Sequence, residues 1–257
     1  MNSTLPAIFD LQNKVAIVTG ASKGIGEAVA HLLASQGAKV VVSSRKLADV
    51  EAVAGEIKSK GNQAMAIACN AGRTEQCESL IAQTIREWGG IDILVNNAAT
   101  NPVYGPALDC SSELFDKMMS VNVRGPFELA KMAHPSMKER GGGSVINISS
   151  IAGQTPDPGL GIYSVTKAAL NMLTKVLARE WGPDGIRVNA IAPGLIKTKF
   201  STALWNNPQT TERLMKQISL GRIGTPEEIA YWVLFLVSNA SAYSTGSIFT
   251  ADGGWTI

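Results

Sequence analysis

The sequence predicts a single α/β domain in which helices cover both faces of a doubly wound parallel sheet of about seven strands. Short runs rich in Val and Ile alternate with longer helical segments along the chain, and this alternation predicts a parallel sheet. The predicted strands are almost continuously apolar, which is typical of strands buried on both faces. No linker, repeat or low-complexity tract interrupts the alternation, so we expect one domain over residues 1–257.

The predicted elements follow one another in a regular order. Each strand is a short run rich in β-branched residues, and a helical segment follows each of the first six strands. The strands are expected at 14–19, 38–44, 63–69, 91–97, 143–150, 186–192 and 246–252. The helices are expected from Gly24 to about Gln36, at 47–60, 74–88, 111–139 and 226–238, and in the segment that carries Tyr163.

Composition and charge exclude several classes of function. The chain has 257 residues, of which 45% are hydrophobic and 17% are charged, as expected for one large soluble domain. The formal net charge of +2 is too small to indicate a nucleic-acid or acidic-membrane partner. The longest apolar run, residues 229–237, is too short to span a bilayer.

The termini and the cysteines favour a cytoplasmic location. The N-terminal MNSTLPAIFDLQNK has neither a basic start nor an apolar core, so we expect no signal peptide. The C-terminal WTI does not resemble a peroxisomal address. Cys69, Cys77 and Cys110 are odd in number and form no C-x-x-C pair, so we expect reduced thiols.

A glycine-rich stretch directly follows the first strand. In TGASKGIG, residues 19–26, Gly20, Gly24 and Gly26 allow a tight turn and a close backbone approach to a ligand. The following helix points its free N–H groups and the positive end of its dipole at that ligand, which suits a phosphate. Its place between the first strand and the first helix predicts a dinucleotide site. The alternative is a turn selected only for strand–helix packing.

The end of the second strand indicates which dinucleotide binds. An NAD enzyme usually places an acidic residue there, which bonds the ribose 2′-hydroxyl and repels a 2′-phosphate. Residues 40–48 contain no Asp or Glu. Ser44, Arg45 and Lys46 instead offer a hydroxyl group and two cations, and Lys23 adds a third cation from the glycine loop. We therefore expect NADP(H) rather than NAD(H); the alternative is an ordinary solvated start to a helix.

Tyr163 and Lys167 form a candidate acid–base pair. They lie four residues apart in IYSVTKAAL, so in a helix their side chains share one face. A cation near a phenol favours the phenolate, so we expect a lowered Tyr163 pKa. The phenol would then donate and accept protons near neutral pH. Taken alone, this loose pattern more often reflects a tyrosine packed beside a surface lysine.

An ordered set of motifs resembles the short-chain dehydrogenase/reductase family. It covers nearly the whole chain and comprises TGASKGIG, NNAA at 96–99, Asn122 in SVNV, Ser150 in INISS, YSVTK at 163–167 and APG at 192–194. Ser150 lies thirteen residues before Tyr163, as the catalytic serine of that family does. Within the family, the sequence looks most similar to NADPH-dependent carbonyl and retinal reductases. The resemblance implies a Rossmann-type fold and an NADP(H)-dependent carbonyl reductase or alcohol dehydrogenase.

The resemblance also implies a role for each matching residue. Tyr163 would be the general acid or base, Ser150 would hold the carbonyl oxygen, and Lys167 would bind the nicotinamide ribose and lower the Tyr163 pKa. Asn122 would hold a water molecule that links Lys167 to solvent. The residues expected to bind the cofactor are Gly20, Ser22, Lys23, Gly24, Ile25, Gly26, Ser44, Arg45, Lys46, Asn70, Ala71, Asn97, Ala98, Tyr163, Lys167, Pro193, Gly194, Ile196 and Thr198.

Several of these residues have structural alternatives. Ser150 could simply end a strand beside the equally polar Ser149, Asn122 could kink a helix, and Thr198 could cap one. The chain also departs from the family pattern at two positions. Ala99 replaces a usual glycine, and Asn70 replaces a usual acid, although its side-chain carbonyl could accept the same bond. The short spacing from Tyr163 to Lys167 differs from that of the enoyl reductases and favours C=O over C=C reduction.

The region from about 195 to 220 is the candidate substrate lid. Its apolar side chains, with two from an earlier loop, are Phe200, Leu204, Trp205, Met215, Pro156 and Leu160. They suggest an aromatic or aliphatic ketone, aldehyde or diketone as the substrate, whereas the alternative is ordinary core packing. A 3-oxoacyl thioester is a second substrate class, and a non-catalytic NADP(H)-sensing protein is a second class of function.

The helical segments 111–139 and 163–181 carry more apolar residues than one sheet face needs. These residues are Leu114, Met118, Met119, Leu129, Met132, Leu170, Met172, Leu173 and Leu177. Association between helices of different subunits would bury these additional apolar side chains. The resemblance implies a homotetramer. His31 and His134 have no partner at metal-ligand spacing in the sequence, so we expect no catalytic metal.

Overall fold

The structure, a computed structural model, describes residues 6–102, 104–157, 159–205, 212 and 214–257, with the backbone alone at 203 and 204. Within these residues, seven parallel strands form a sheet in the order β3-β2-β1-β4-β5-β6-β7. The strands are β1 Val15–Thr19, β2 Lys39–Ser44, β3 Ala64–Ala68, β4 Ile93–Asn96, β5 Gly143–Ile148, β6 Ile186–Pro193 and β7 Ile248–Ala251. The predicted sheet is therefore confirmed.

Helices cover both faces of the sheet. They are α1 Gly24–Ser35, α2 Leu47–Ser59, α3 Thr74–Trp88, α4 Ser112–Met119, α5 Gly125–Glu139, α6 Gly161–Trp181, α7 Thr202–Trp205 and α8 Pro226–Val237. Ala16 and Val18 of β1 belong to one buried apolar cluster, with residues of α1, α2 and α8. Ile17 points to the opposite face and joins residues of α3, α5 and α6. No helix in the described ranges is both long and apolar enough for a membrane span.

The helix that the sequence predicts at 111–139 is divided in the structure. A π-helical turn, Ser120–Arg124, separates α4 from α5. Pro126 has no N–H group to donate to the preceding turn, so regular α-helical bonding cannot continue through it. A Cβ atom at Gly125 would clash with the Ala71 carbonyl. The glycine therefore lets this turn pack against the loop that follows β3.

A buried carboxylate holds the first and fourth strands side by side. The Asp92 side chain, just before β4, is only 5% exposed. Its Oδ2 accepts from the Val15 N–H at 2.8 Å. Arg140 donates to both carboxylate oxygens, from Nε at 3.1 Å and from Nη2 at 2.8 Å. These bonds fix β1 beside β4, where the strand order reverses.

Candidate functional site

A cavity of about 1180 Å³ opens at the carboxyl ends of the strands. The chain runs from β1 outward to β3 and then crosses back to β4, so the strand order reverses between β1 and β4. Open parallel sheets bind ligands in the crevice at such a reversal. The volume exceeds the roughly 300–1,000 Å³ typical of a small-molecule pocket, so a dinucleotide and a substrate can share it.

The glycine loop lines this cavity at the N-terminus of α1. Gly20 and Gly24 have φ values of +63° and +62°, which favour glycine. A Cβ atom at Gly20 would lie 2.9 Å from the Ala98 Cα, and one at Gly24 would lie 3.1 Å from Thr198 Cγ2. The loop residues at the cavity are Gly20, Ser22, Lys23, Gly24 and Ile25. The first N–H groups of α1 and the positive end of its dipole suit an anionic ligand there.

Asn97 ties the glycine loop to the end of β4. Its Nδ2 donates to Thr19 O at 2.9 Å and to Gly20 O at 3.0 Å. Thr19 Oγ1 accepts from the N–H groups of Asn97 and Ala98 at 3.0 and 3.1 Å. A Cβ atom at Gly26 would lie 2.5 Å from both Asn97 Nδ2 and Gly20 O. Gly26 thus lies behind the loop, where its missing side chain permits this tie.

Cations surround the cavity at the end of β2. Arg45, Lys46 and Lys23 are exposed and line the cavity, as does Ser44. Arg73 at the start of α3, which the sequence analysis missed, adds a fourth cation. Asp49 brings one carboxylate to the same wall. The excess of positive charge suits a phosphate group.

Ser150, Tyr163 and Lys167 meet in the same cavity. Ser150 follows β5, while Tyr163 and Lys167 lie one turn apart on α6. The Ser150 side chain is near enough to the Tyr163 phenol to lower its pKa. Lys167 Nζ donates to Ile148 O at 2.8 Å and lies 5.5 Å from the centre of the Tyr163 ring. Ser149 also lines the cavity, but its hydroxyl donates to the Lys167 carbonyl at 3.4 Å, so the structure distinguishes the two serines.

The pKa values of this pair differ from the expectation. Burial raises the pKa of Tyr163 and outweighs the opposing effect of the Ser150 side chain. Burial also lowers the pKa of Lys167 to about 7. The expectation of a lowered Tyr163 pKa is therefore wrong for the protein on its own. The physical reason is that Tyr163 is 8% exposed and Lys167 only 2%, and removal from water disfavours both charged forms.

Asn122 lies in the π turn and is fully buried. Its Oδ1 accepts from the Thr100 N–H at 2.8 Å, and its Nδ2 donates to Thr100 O at 2.9 Å and to Thr166 Oγ1 at 3.0 Å. Both N–H groups of the amide and one lone pair of its oxygen are thus bonded to the protein. The alternative in which Asn122 stands at a helix irregularity agrees with this placement; the water relay stays a prediction.

Comparison with known proteins decides the family. A family model described as enoyl-(acyl carrier protein) reductase matches residues 20–256. The human protein dehydrogenase/reductase SDR family member 4 is 45% identical over 244 residues, which are 95% of this chain and 88% of the human chain. The chain belongs to the short-chain dehydrogenase/reductase family. The relative of the same name from Caenorhabditis elegans is 40% identical over 247 residues, 95% of each chain.

Solved structures of short-chain dehydrogenases/reductases have the same fold. One from Mycobacterium marinum is 39% identical, with a TM-score of 0.91 and coverage of 97% of this chain and 98% of that one. A gluconate 5-dehydrogenase from Burkholderia cenocepacia J2315, in complex with NADP and tartrate, is 32% identical, with a TM-score of 0.92 and coverage of 96% and 97%. The resemblance and the Rossmann-type fold inferred from the sequence are thereby confirmed.

Most residues that the short-chain dehydrogenase/reductase resemblance assigns to the cofactor or to catalysis line this one cavity; Gly26 and Asn122 do not. Asn70, which also lines it, accepts from the Gly72 N–H at 3.1 Å through Oδ1, and this oxygen keeps a second lone pair for a ligand. The wall formed by α4 and the π turn was not predicted from the sequence. Its cavity-lining residues are Asp116, Lys117, Ser120, Val121 and Arg124.

Among the described residues of the candidate lid, only those near its start line the cavity. Phe200 lines it, with its ring centre 6.1 Å from that of Tyr163. The neighbouring lining residues are Ile196, Thr198, Lys199 and Ser201. Pro156, Leu160 and Met215 are not among the lining residues. Residues 206–211 and 213, and the Leu204 side chain, lie outside the described residues.

Four of the nine apolar residues that the sequence assigns to subunit association are core residues. Met118, Leu129, Leu170 and Leu177 are each at most 3% exposed, because these sides of the helices pack on the sheet and its neighbours. Met172 is 59% exposed. Phe127, Val165 and Val176 are also at least 36% exposed, and these three were not predicted. The apolar surface on α5 and α6 is thus smaller than expected.

The expectation that His31 has no partner at metal-ligand spacing is wrong. The ligand atoms of Glu27, His31 and Glu56 lie within 4.8 Å of one another, because α1 and α2 are neighbours. These residues are half-buried or exposed and do not line the cavity. His134 Nε2 lies 2.9 Å from Asp184 Oδ2, also away from the cavity. Neither cluster touches Tyr163 or Lys167.

Proposed function

We propose that this protein is an NADP(H)-dependent oxidoreductase that interconverts a ketone or aldehyde and the corresponding alcohol, with Tyr163 as the general acid or base. One observation carries the proposal. The Tyr163 phenol lies in one cavity with Ser150, Lys167 and a glycine loop, and the Lys167 Nζ is 5.5 Å from the centre of its ring. Family membership and relatives named dehydrogenase/reductase support an enzyme rather than a cofactor sensor.

The cavity fits a dinucleotide phosphate on structural grounds. Gly20 and Gly24 leave a cradle that Cβ atoms would narrow, and α1 directs its N-terminus at it. Arg45, Lys46 and Lys23 would hold a 2′-phosphate, with Arg73 as a further cation. Asn97, Ala98, Pro193 and Gly194 line the cavity towards Tyr163 and would hold the nicotinamide half. NADP in a solved relative supports this choice.

Bound NADPH supplies the hydride in such a reaction. Residues of this chain would orient the substrate and transfer the proton. Ser150 Oγ accepts from the Ala152 N–H at 3.1 Å, which leaves its own O–H to donate to a substrate carbonyl oxygen. Tyr163 donates its phenolic proton to the same oxygen as negative charge develops there. Lys167 lies close enough to the phenol to stabilise the phenolate that results.

The substrate is proposed to be an apolar ketone, aldehyde or diketone. Phe200 beside Tyr163 would contact its apolar part, with the region 195–220 acting as a lid on the single domain. The main alternative is a 3-oxoacyl thioester, which the description of the matching family model favours because it names acyl carrier protein. The short spacing from Tyr163 to Lys167 favours C=O over C=C reduction. A cytoplasmic location agrees with the three free cysteines.

The test of the activity is a substrate panel. Loss of NADPH absorbance is followed with aromatic and aliphatic ketones, aldehydes, diketones, 3-oxoacyl thioesters and enoyl thioesters. Tyr163→Phe should abolish turnover while the NADPH dissociation constant stays within about twofold, because phenylalanine keeps the ring and lacks only the hydroxyl group that would transfer the proton. Near-normal turnover in this variant would refute the role of Tyr163.

The same assay tests the cofactor. Arg45→Asp should raise the KM for NADPH at least tenfold and relatively favour NADH, because a carboxylate repels the 2′-phosphate. Lys58→Asp, a charge reversal at the far end of α2, is the matched control. It should change neither the KM for NADPH nor the preference for NADPH over NADH. If the preference is unchanged in Arg45→Asp, another residue makes the phosphate contact.

The assembly is proposed to be a homotetramer, with α5 and α6 in an interface. The support is the exposed apolar group on these helices, Phe127, Val165, Met172 and Val176. Light scattering of the purified protein should give four times the 27.1 kDa chain mass. Met172→Lys combined with Val176→Lys should lower this mass, whereas a monomeric parent protein would contradict the proposal.

A further inference from the structure

Thr166 joins the helix of Tyr163 to the buried amide of Asn122. Its hydroxyl donates to Tyr163 O at 2.7 Å and accepts from Asn122 Nδ2 at 3.0 Å. Thr166 and Asn122 are both completely buried. The other bonds of the Asn122 amide go to the Thr100 backbone at 2.8 and 2.9 Å. Thr166 thus links α6 to Asn122 in the π turn and, through Asn122, to Thr100 in the loop that follows β4.

This link acts on the turn that carries the reacting groups. Tyr163 accepts the threonine bond through its own carbonyl, and Lys167 directly follows Thr166 in the helix. On the other side, α6 is held by β5, because Lys167 Nζ donates to Ile148 O at 2.8 Å. With both attachments present, the turn is fixed from two sides. Without the threonine hydroxyl, the described side-chain bonds hold it on the β5 side only.

We propose that Thr166 is a positioning residue, which holds the Tyr163 hydroxyl and the Lys167 ammonium in the relative placement that proton transfer requires. The inference rests on the proposed function, because it assigns to Thr166 a role in that reaction. Displacement of a reacting group by about 1 Å can cost about a hundredfold in rate. Thr166 is fully buried and does not line the cavity, so its effect on the reacting groups passes through the α6 backbone.

The chain contains a matched control on the same face of the same helix. Thr174, two turns further along α6, donates to Leu170 O at 2.9 Å and accepts from Asn147 Nδ2 at 2.9 Å. It is also completely buried. Thr166 and Thr174 therefore have the same two kinds of bond and the same burial. They differ in that only Thr166 bonds to the backbone of Tyr163.

The experiment compares Thr166→Val with Thr174→Val, and adds Thr166→Ser, which keeps the hydroxyl. Each valine leaves one buried asparagine N–H unpaired, so we expect a similar fall in Tm for both variants. Thr166→Val should lower kcat at least tenfold, with the KM for NADPH changed by less than about twofold, and Thr166→Ser should recover most of the rate. Thr174→Val should keep kcat within about twofold of the parent protein.

Several results would overturn the inference. Equal losses of kcat in the two valine variants mean that Thr166 acts on stability alone, and an unchanged kcat in Thr166→Val means that the link does not matter. If Thr166→Val does not fold, Thr166→Ala takes its place with the same expectations, because a water molecule can fill the smaller side chain's volume. Absence of turnover in the parent protein on the whole panel overturns the proposed function, and this inference with it.

Discussion

Lys167 should make the stability of the cofactor-free protein depend on pH. Burial lowers the pKa of Lys167 from its ordinary 10.5 to about 7. Between these two values, the unfolded chain carries the proton and the folded protein has lost it. Because the unfolded state binds more protons in this window, the free energy of unfolding rises with pH. Below pH 7 both states are protonated, and the cost of burying the ammonium is present in full.

The expected size follows from the two pKa values. One pKa unit corresponds to about 1.4 kcal/mol, so integration from pH 7.5 to 9.5 gives a gain of about 2.5 kcal/mol in the free energy of unfolding. Tyr163 contributes little here, because its raised pKa changes proton binding only above its ordinary value of 10.0. The fold raises the pKa of the Cys69 thiol and lowers that of the Cys77 thiol from their ordinary 9.0, which lies within this range, and their contributions must be subtracted.

Lys167→Met supplies this subtraction, because it removes the titrating group and leaves the cysteines unchanged. Urea unfolding of both proteins is measured without cofactor at pH 7.5, 8.5 and 9.5, at one protein concentration. The variant should be the more stable protein at pH 7.5, and its advantage should shrink by about 2.5 kcal/mol by pH 9.5. Parallel stability curves for the two proteins would refute the assignment of a buried, depressed lysine.

Three further substitutions test other parts of the structure. Gly153→Ala should lower kcat and Tm together, because a Cβ atom would lie 2.7–2.9 Å from the backbone and Cβ of Lys167; unchanged kinetics would contradict this contact. Asp92→Ala should lower the free energy of unfolding by about 2–4 kcal/mol, since it leaves Arg140 and a β1 amide without their acceptor. Urea unfolding measures the loss, and a change below about 0.5 kcal/mol would contradict the role of Asp92 in holding the two strands. Gly20→Ala should weaken NADPH binding at least tenfold in a fluorescence titration, because its φ is +63° and the β4 loop is 2.9 Å away.

The sequence predicts the sheet well because each strand is a buried apolar run with its own turn signals. It does not predict the division of the helix at 111–139. A π turn keeps the chain helical, so the apolar spacing continues through Ser120–Arg124 and gives no warning. Pro126 was the available local signal. The contact that requires Gly125, the carbonyl of Ala71, lies far away in the sequence and becomes visible only in the fold.

The candidate site is likewise predictable from the sequence only in part. Residues that directly follow strands, such as Asn97 and Ser150, are predictable because the carboxyl ends of parallel strands share one edge. The cavity wall formed by Lys117 and Arg124 is not, because helix packing rather than strand position brings these residues there. The sequence likewise pairs Tyr163 with Lys167 but contains no direct measure of burial, which is why the expected direction of the Tyr163 pKa is wrong.

Burial of this pair has a consequence for the direction of the reaction. Carbonyl reduction needs a protonated phenol, and the raised pKa keeps Tyr163 in that form at neutral pH. Alcohol oxidation needs the phenolate, which is costly in a pocket without a nearby positive charge. Lys167 can supply that charge. Because its own pKa is about 7, however, the Lys167 side chain is mostly neutral above neutral pH. In the proposed reaction, the chain's own residues therefore keep Tyr163 ready as a proton donor, and a bound ligand that raises the Lys167 pKa would stabilise the phenolate that alcohol oxidation needs.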